Sequence, residues 1–357
     1  MPAAPTIYAA TPTLRLAGQE DVRASKLIVA LAVQEQEGGL SALELRLTNV
    51  ASLSSGGAEL AFGAGSALDL GKDIQVYLGD EREPREVFRG VVTALEWRFG
   101  PSETPELVVL AEDALQRARL ARRSATYADA TPAEVVNTMA SRLALRPVLT
   151  GLDAPRATWA QLNESDLSFL RRLLGALDAD LQIVGEELHV SPRGDVRRGA
   201  LTLDLNDTLI SARAVADLSQ QATQVTVRGW NPVDGSAVEA SVGSGAHVGP
   251  GQGRSGAQVL RSALGGERTE HLAHVSVSTQ EEARAVAQAA FDLRARRFVC
   301  VEGKAEGNAQ LRVGAHVTLA GLEPRLDNTY YVVRARHVWD RVRGYFTEFG
   351  AECAWLG

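Results

Sequence analysis

Hydrophobic and polar positions divide this chain into three stretches. From residue 7 to 112 they alternate with a period of two. Leu43, Leu45 and Leu47 face one way with polar residues between them, the mark of a strand with one buried face. The pattern predicts strands over 13–16, 25–35, 42–48, 73–78, 86–99 and 106–112, punctuated by Gly- and Ser-rich loops at 54–66 and 100–105. After Asp113 the period lengthens. The arginine-rich segment 114–123 reads as helical. Thr131-Pro132-Ala133-Glu134 is a capping box with proline at the first helical position, and it opens a helix carrying Val135, Met139 and Leu143 on one side.

The segment from Trp159 to Val190 has the strongest pattern. Ser165 or Asn163 can cap a helix there, with Asp166 in its first turn, where a negative charge suits the helix dipole. Leu170, Leu173, Leu174 and Leu177 fall at i, i+3, i+4 and i+7, and Arg171 and Arg172 lie off that stripe. The period then switches to two. Leu181 and Ile183, a turn at Gly185-Glu186, then Leu188 and Val190 predict a tight, half-buried hairpin. Residues 113 to 195 therefore read as one α/β unit. Arg171, Arg172, Asp166 and His189 read as its solvated or subunit-facing edge.

Beyond 196 the chain returns to strands, at 201–205, 222–230, 298–304, 316–320, 330–340 and 345–353. A loop-rich section, 243–266, interrupts them. Thr279-Gln280-Glu281-Glu282 reads as a second capping box, starting a helix near 279–297 with Ala283, Val286, Ala287, Ala290 and Phe291 on one face. The predicted fold class is α+β, mainly β. The predicted domains are 1–112 and 196–357, both β, flanking the 113–195 connector.

Composition narrows the function. With 357 residues the chain can build several cores, and its net charge of -7 leaves no basic excess for general nucleic-acid binding. Two cysteines, Cys300 and Cys353, cannot form a disulfide framework; both lie in apolar strand runs and read as small buried hydrophobes. No apolar run reaches membrane-span length. The N-terminus lacks a basic start followed by an apolar core, so no secretory signal is expected and the chain should fold in the cytoplasm.

Candidate chemistry is sparse. Gly251-Gln252-Gly253-Arg254-Ser255-Gly256 matches the dinucleotide fingerprint in letters, but no regular strand precedes it, and it reads as a flexible loop. His271 and His274, with Glu267 and Glu270 nearby, would form half a metal site on a helix. Leu272, Val275 and Val277 suggest a strand instead, which points the histidines to opposite faces. His316 and His337 lie in alternating strand runs, and His189 on the polar face of the hairpin. No nucleophile elbow, zinc-protease helix or phosphate-binding loop is present. Catalytic, cofactor-binding and metal-binding residues are all expected to be none.

Three phrases carry a resemblance. They are VFRGVVTALEWRF (Val87 to Phe99) with ELVVLAEDALQRARLARRSATYADATPAEVVNTMA (Glu106 to Ala140); WAQLNESDLSFLRRLLGALDADLQIVGEELHV; and LRVGAHVTLAGLEPRLDNTYYVVRARHVWDRVRGYFTEFGAE (Leu311 to Glu352). In this order they resemble the phage late control protein D family, which forms baseplate hubs of contractile tails and the hub portion of type VI secretion spikes. The resemblance implies two β-barrel-like tube domains flanking the α/β portion, and a homotrimer whose six similar barrels adapt a sixfold inner tube to a threefold spike. It also implies a phage-tail or injection-particle location. Expected partners are a separate spike protein, inner-tube or tube-initiator proteins and baseplate wedge proteins. Type VI spike proteins continue into a further barrel and needle. This sequence stops at Trp355-Leu356-Gly357, so a separate spike polypeptide is the expectation. The alternatives are a carbohydrate-binding tail module, which few aromatics (5%) disfavour, and a cell-wall-degrading tail enzyme, which needs a facing pair of acids.

Overall fold

A computed structural model of the protein describes residues 11–52, 58–63, 65–79, 83–246 and 248–357. The segment 1–10, expected to carry no secretory signal, lies outside the described residues, as do residues 54–57 and 64 of the expected 54–66 loop. The protein is α+β and mainly β.

The first stretch supplies β1 (Thr13–Leu16), α1 (Val22–Leu27), β2 (Ile28–Gln36), β3 (Ala42–Thr48), β4 (Asp73–Gly79), β5 (Pro84–Arg98) and β6 (Glu106–Glu112). The alternation read from sequence is what places Leu43, Leu45 and Leu47 in one core with Val33, Ile74, Val76, Leu107 and Val109. One expectation fails: residues 25–27 are helical. Asp21 caps a short helix there by accepting from Ala24 N at 2.8 Å, and Ser25 turns inward to accept from Leu14 N at 2.9 Å.

The middle stretch contains β7 (Arg122–Ala130), α2 (Pro132–Leu143), β8 (Arg146–Leu149), β9 (Ala157–Ser165), α3 (Asp166–Ala176), β10 (Ala179–Val184) and β11 (Glu187–Pro192). The Thr131–Glu134 capping box forms with both reciprocal bonds. Segment 114–123 is not one helix: residues 114–119 make a 3₁₀ turn and Arg122 begins a strand antiparallel to β9. Residues 159–165 are strand, and α3 starts after Ser165, one of the two expected caps, whose Oγ accepts from Ser168 N at 3.2 Å. Leu170, Leu173 and Leu174 are buried, Leu177 partly so at the helix end. The hairpin pairs Val184 with Glu187 across Gly185, whose φ of 62° is the left-handed geometry that the turn demands.

The last stretch forms β12 (Ala200–Asp204), β13 (Leu209–Ala216), β14 (Gln224–Asn231), β15 (Ser236–Val242), α4 (Gly256–Leu264), β16 (Thr269–Leu272), α5 (Gln280–Arg296), β17 (Val299–Glu306), β18 (His316–Ala320), β19 (Thr329–Asp340) and β20 (Gly344–Cys353). Helix α5 packs on the sheet β15-β14-β16, and its buried Ala283 and Ala287 allow close approach. Its capping box is only half made. Thr279 accepts from Glu282 N, but Glu282 returns to Ser278 N at 2.8 Å rather than to the cap residue.

The glycine-rich fingerprint has a packing role. Arg254–Ser255 pair with Trp355–Leu356, and Ser255 with Gln258 closes a full capping box on α4, so the expected loop 243–266 ends in an ordered helix. A Cβ on Gly251 would sit 2.4 Å from the Trp355 ring, and one on Gly253 2.2 Å from Leu356 O. Their φ values of 137° and 120° add a second reason for glycine.

The main sheet runs through the first and last stretches without a break, in the order β13-β17-β20-β19-β2-β3-β6-β5-β4-β1 followed by Gln19–Glu20. Strand β19 is the shared member. Thr329–Tyr331 pair with β18, whereas Arg334–Asp340 pair with β2. Residues 115–190, by contrast, keep a core of their own. Truncating Leu170 in that core, Leu170→Ala, is expected to cost about 2–5 kcal/mol in denaturant unfolding. Leu162→Ala, at a position that is 72% exposed, should stay within about 0.5 kcal/mol of wild type.

Candidate functional site

Two features stand out: a buried ionic joint where the three stretches meet, and an open sheet edge. The joint begins where β2 ends. Glu37, Gly38, Gly39 and Leu40 turn the chain, the last three at φ values of 78°, 74° and 67°. Glu37 N donates to Val333 O at 3.1 Å, the point at which β19 changes partners. The middle body docks on this turn through polar groups. Gln182 Nε2 donates to Gln36 O at 2.7 Å, and Arg171 donates to Gly38 O at 2.8 Å and Gly39 O at 2.7 Å.

Behind the turn lie three acids and three arginines. Asp178 accepts from Arg296 of α5, through Oδ1 at 2.7 Å and also through Oδ2, and from Arg193 at 2.5 Å. Asp180 pairs with Arg198 at 2.5 Å, and Gly38 N approaches it at 3.4 Å. Glu37 forms an ion pair with Arg193. Arg296 and Asp180 are 1% and 0% exposed. Charges so deeply buried are tolerable only when paired and hydrogen-bonded, so each partner depends on the others. A second pair, buried Glu35 with half-buried Arg312, lies beside the joint. Burial raises the Glu35 pKa, but the Arg312 guanidinium outweighs it and holds the carboxyl below its ordinary value.

None of these acids and arginines stands out in the sequence as a set, because they are scattered from residue 35 to 312. The available signal was the second face of β10, where Asp180 and Gln182 alternate with Leu181 and Ile183. That face suggests solvent, yet both residues are buried.

The expected solvated edge is rearranged. Arg171 reaches across to the first stretch. Arg172 stays local, on Glu164 and on Ala160 O at 2.7 Å. Asp166 is buried, accepts from Gln161 Nε2 at 2.8 Å, and has Arg123 and Arg142 at 3.5 and 3.6 Å. His189 Nε2 lies 2.7 Å from Glu187. His271 ends in strand β16, His274 lies beyond it, and both are exposed. Among the described residues no group of three or more His, Cys, Asp or Glu is placed to hold a metal ion. Cys353 is buried, but Cys300 is exposed on the outer face of β17, contrary to expectation, because its register sets it beside Val215 of the edge strand.

His316 and His337 are buried in the strands that contain them. His337 Nδ1 meets Tyr345 OH at 2.8 Å, while Nε2 of each has no partner. Burial pushes both pKa values down to about 4. A histidine held neutral in the fold charges more readily when unfolded, so these two reduce stability as pH falls from about 6.5 to about 4. Asp113 acts oppositely. Burial raises it to about 6, against the N–H groups of Ser41 and Leu115, and its contribution declines as pH rises through that range.

The open edge is β13. Among the described residues it terminates the main sheet and pairs with β17 on one side only, and it carries a single charge, Arg213, among LISARAVA. Ile210 and Val215 are exposed on it. A long edge without proline or several charges is a template for pairing with another chain. Trp97, Phe99 and Trp230 are also exposed, near the tips of the β5–β6 and β14–β15 hairpins.

Mostly antiparallel sheets with an inserted α/β body define the class: this is the fold of phage tail proteins. The 43 kDa tail protein of prophage MuSo2 from Shewanella oneidensis superposes with a TM-score of 0.69 at 13% identity, over 96% of this chain and 98% of that one. A tail protein from Neisseria meningitidis MC58 follows at 0.65 and 11%, covering 96% of both chains. The E. coli c3393 protein, described as a component of the type VI secretion system similar to T4 tail proteins gp27 and gp5, gives 0.60 at 14%, over 96% of this chain and 78% of that one. By sequence, residues 20–340 match the model of the Alg8 N-terminal domain, and the chain belongs to that family. No curated protein matches by sequence. No helix among the described residues is long and apolar enough to cross a membrane.

The joint makes a direct prediction. Arg296→Met should destabilise the protein by about 3–5 kcal/mol, because it leaves Asp178 underpaired. Asp178→Asn with Arg296→Met should cost clearly less than the two single changes summed, as read by a double-mutant cycle of urea unfolding.

Proposed function

We propose that the protein is a structural hub of a contractile tail baseplate, a homotrimeric ring that adapts a sixfold inner tube to a threefold spike. Its work is assembly rather than catalysis. The observation that carries this reading is the end-to-end match to tail proteins, combined with one sheet that spans both β stretches and ends in a bare edge. The late control protein D resemblance fits the same reading. So does the E. coli c3393 protein, named as a secretion-system component. In a closed ring a head-to-tail contact repeats from copy to copy, and β13 is suited to such a contact. A separate spike protein and inner-tube proteins are the proposed partners. The proposed site of synthesis is the bacterial cytoplasm, and the finished chain resides in a tail or injection particle.

Light scattering tests the mass: three copies of a 38.1 kDa chain are expected, alone or with the spike protein. A monomer at every concentration that ignores spike and tube proteins would sink the proposal. Placing charge on the edge, Ser211→Lys with Val215→Lys, should abolish the trimer while changing folding stability by no more than about 0.5 kcal/mol. An unaffected trimer would move the interface elsewhere.

The exposed Trp97, Phe99 and Trp230 favour one second reading, a carbohydrate-binding tail module. A glycan array answers it, and no bound glycan removes that reading.

A further inference from the structure

We propose that the ionic joint is a protonation-controlled clamp, in which the charge on Glu37 sets how firmly the 113–195 body is held against the main sheet. The geometry singles out Glu37 among the three acids. Asp178 receives hydrogen bonds from two arginines, and Asp180 from Arg198 and Gly38 N. Among the described residues Glu37 has only the ion pair with Arg193, and neither its Oε1 nor the Arg193 Nε gains an aligned hydrogen bond from it. It is the most weakly held charge in the joint. A largely buried carboxylate without aligned donors keeps most of the penalty of leaving water.

The surrounding charges do not remove that penalty. Asp180 of β10 and Glu352 of β20 face Glu37 with the same sign, while Arg193 and Arg296 oppose them. The Tyr331 hydroxyl of β19 is buried nearby and has no hydrogen-bond partner. Asp178 shares Arg193 from the other side, and Arg198 is occupied by Asp180. Burial, the largest influence, pushes Glu37 up to about 7.

The direction of the effect follows. Between about pH 4.5 and 7 the folded joint holds the Glu37 proton more tightly than the unfolded chain does. Stability from this group is therefore present at mildly acid pH and is lost as pH rises through about 7. Opening the joint hydrates the carboxylate. The cost of opening is local, because the middle body keeps its own apolar core and, Leu40 apart, meets the turn at 36–40 through polar contacts.

Hydrogen exchange at pH 6.0 and 8.5, corrected for intrinsic rates, tests the clamp. In the wild type, amides at 36–40, 178–182 and 193–198 should lose protection by at least about threefold at the higher pH, relative to amides of the apolar cores. Glu37→Gln, a permanent mimic of the protonated acid, should hold the same protection at both values and melt no lower than wild type at pH 8.5. The proposal is overturned by a wild type whose joint shows no such loss, by a Glu37→Gln protein that keeps it, or by one that fails to fold at pH 8.5.

Discussion

The constraint on which this structure depends is electrostatic: charges from three parts of the chain are removed from water at one point. Asp178 and Asp180 come from the middle body, Arg296 from the long helix, Arg193 and Arg198 from the segment after the hairpin, and Glu37 from the turn that follows β2. No two of these stretches satisfy the set. An isolated buried charge costs several kcal/mol, so a partly docked arrangement is worse than either the docked or the separated one. Apolar cores can tolerate small slips in register between bodies, but a paired guanidinium cannot. The joint thus fixes the placement of the middle body, whose buried apolar cluster is distinct from that of the main sheet.

The sheet provides a different kind of connection. Because β19 pairs with β18 through its first residues and with β2 through its last, the first and last stretches are one continuous surface. The middle body is attached mainly by polar contacts, with Leu40 as the apolar exception, and such an interface is the kind that permits relative motion. Stiffness and adjustability are therefore separated by chemistry, with backbone ladders on one side and ion pairs on the other.

Much of this was legible in the sequence where one local force dominates. Strict alternation placed 42–48 and 106–112 to the residue, and the Thr131 capping box and the Gly185 turn formed as their side chains require. The failures have physical causes. Ser165, one of the two expected caps, does start the helix, but the strand before it carries few apolar residues and only pairing with β7 decides its state. Residues 25–27 carry strand-like neighbours, yet a single Asp21 cap converts them. Cys300 alternates with the buried Val299 and Val301 and so falls on the outward face with Glu302, a phase that the apolar character of the run concealed. The joint was hidden for a deeper reason: its members are spread over about 260 residues, and no period or motif links Glu37 with Arg296.

The pairing of β2 with β19 joins residues about 300 positions apart, Gln36 with Arg334. During synthesis β2 must therefore wait for nearly the whole chain before its second neighbour exists. Until then its hydrogen-bonding side is bare, a state prone to wrong partners. The middle body, whose strands and helices pair among themselves, has no such delay and can fold as the ribosome releases it. The order of birth along the polypeptide thus puts the self-sufficient piece between two halves that can only finish together.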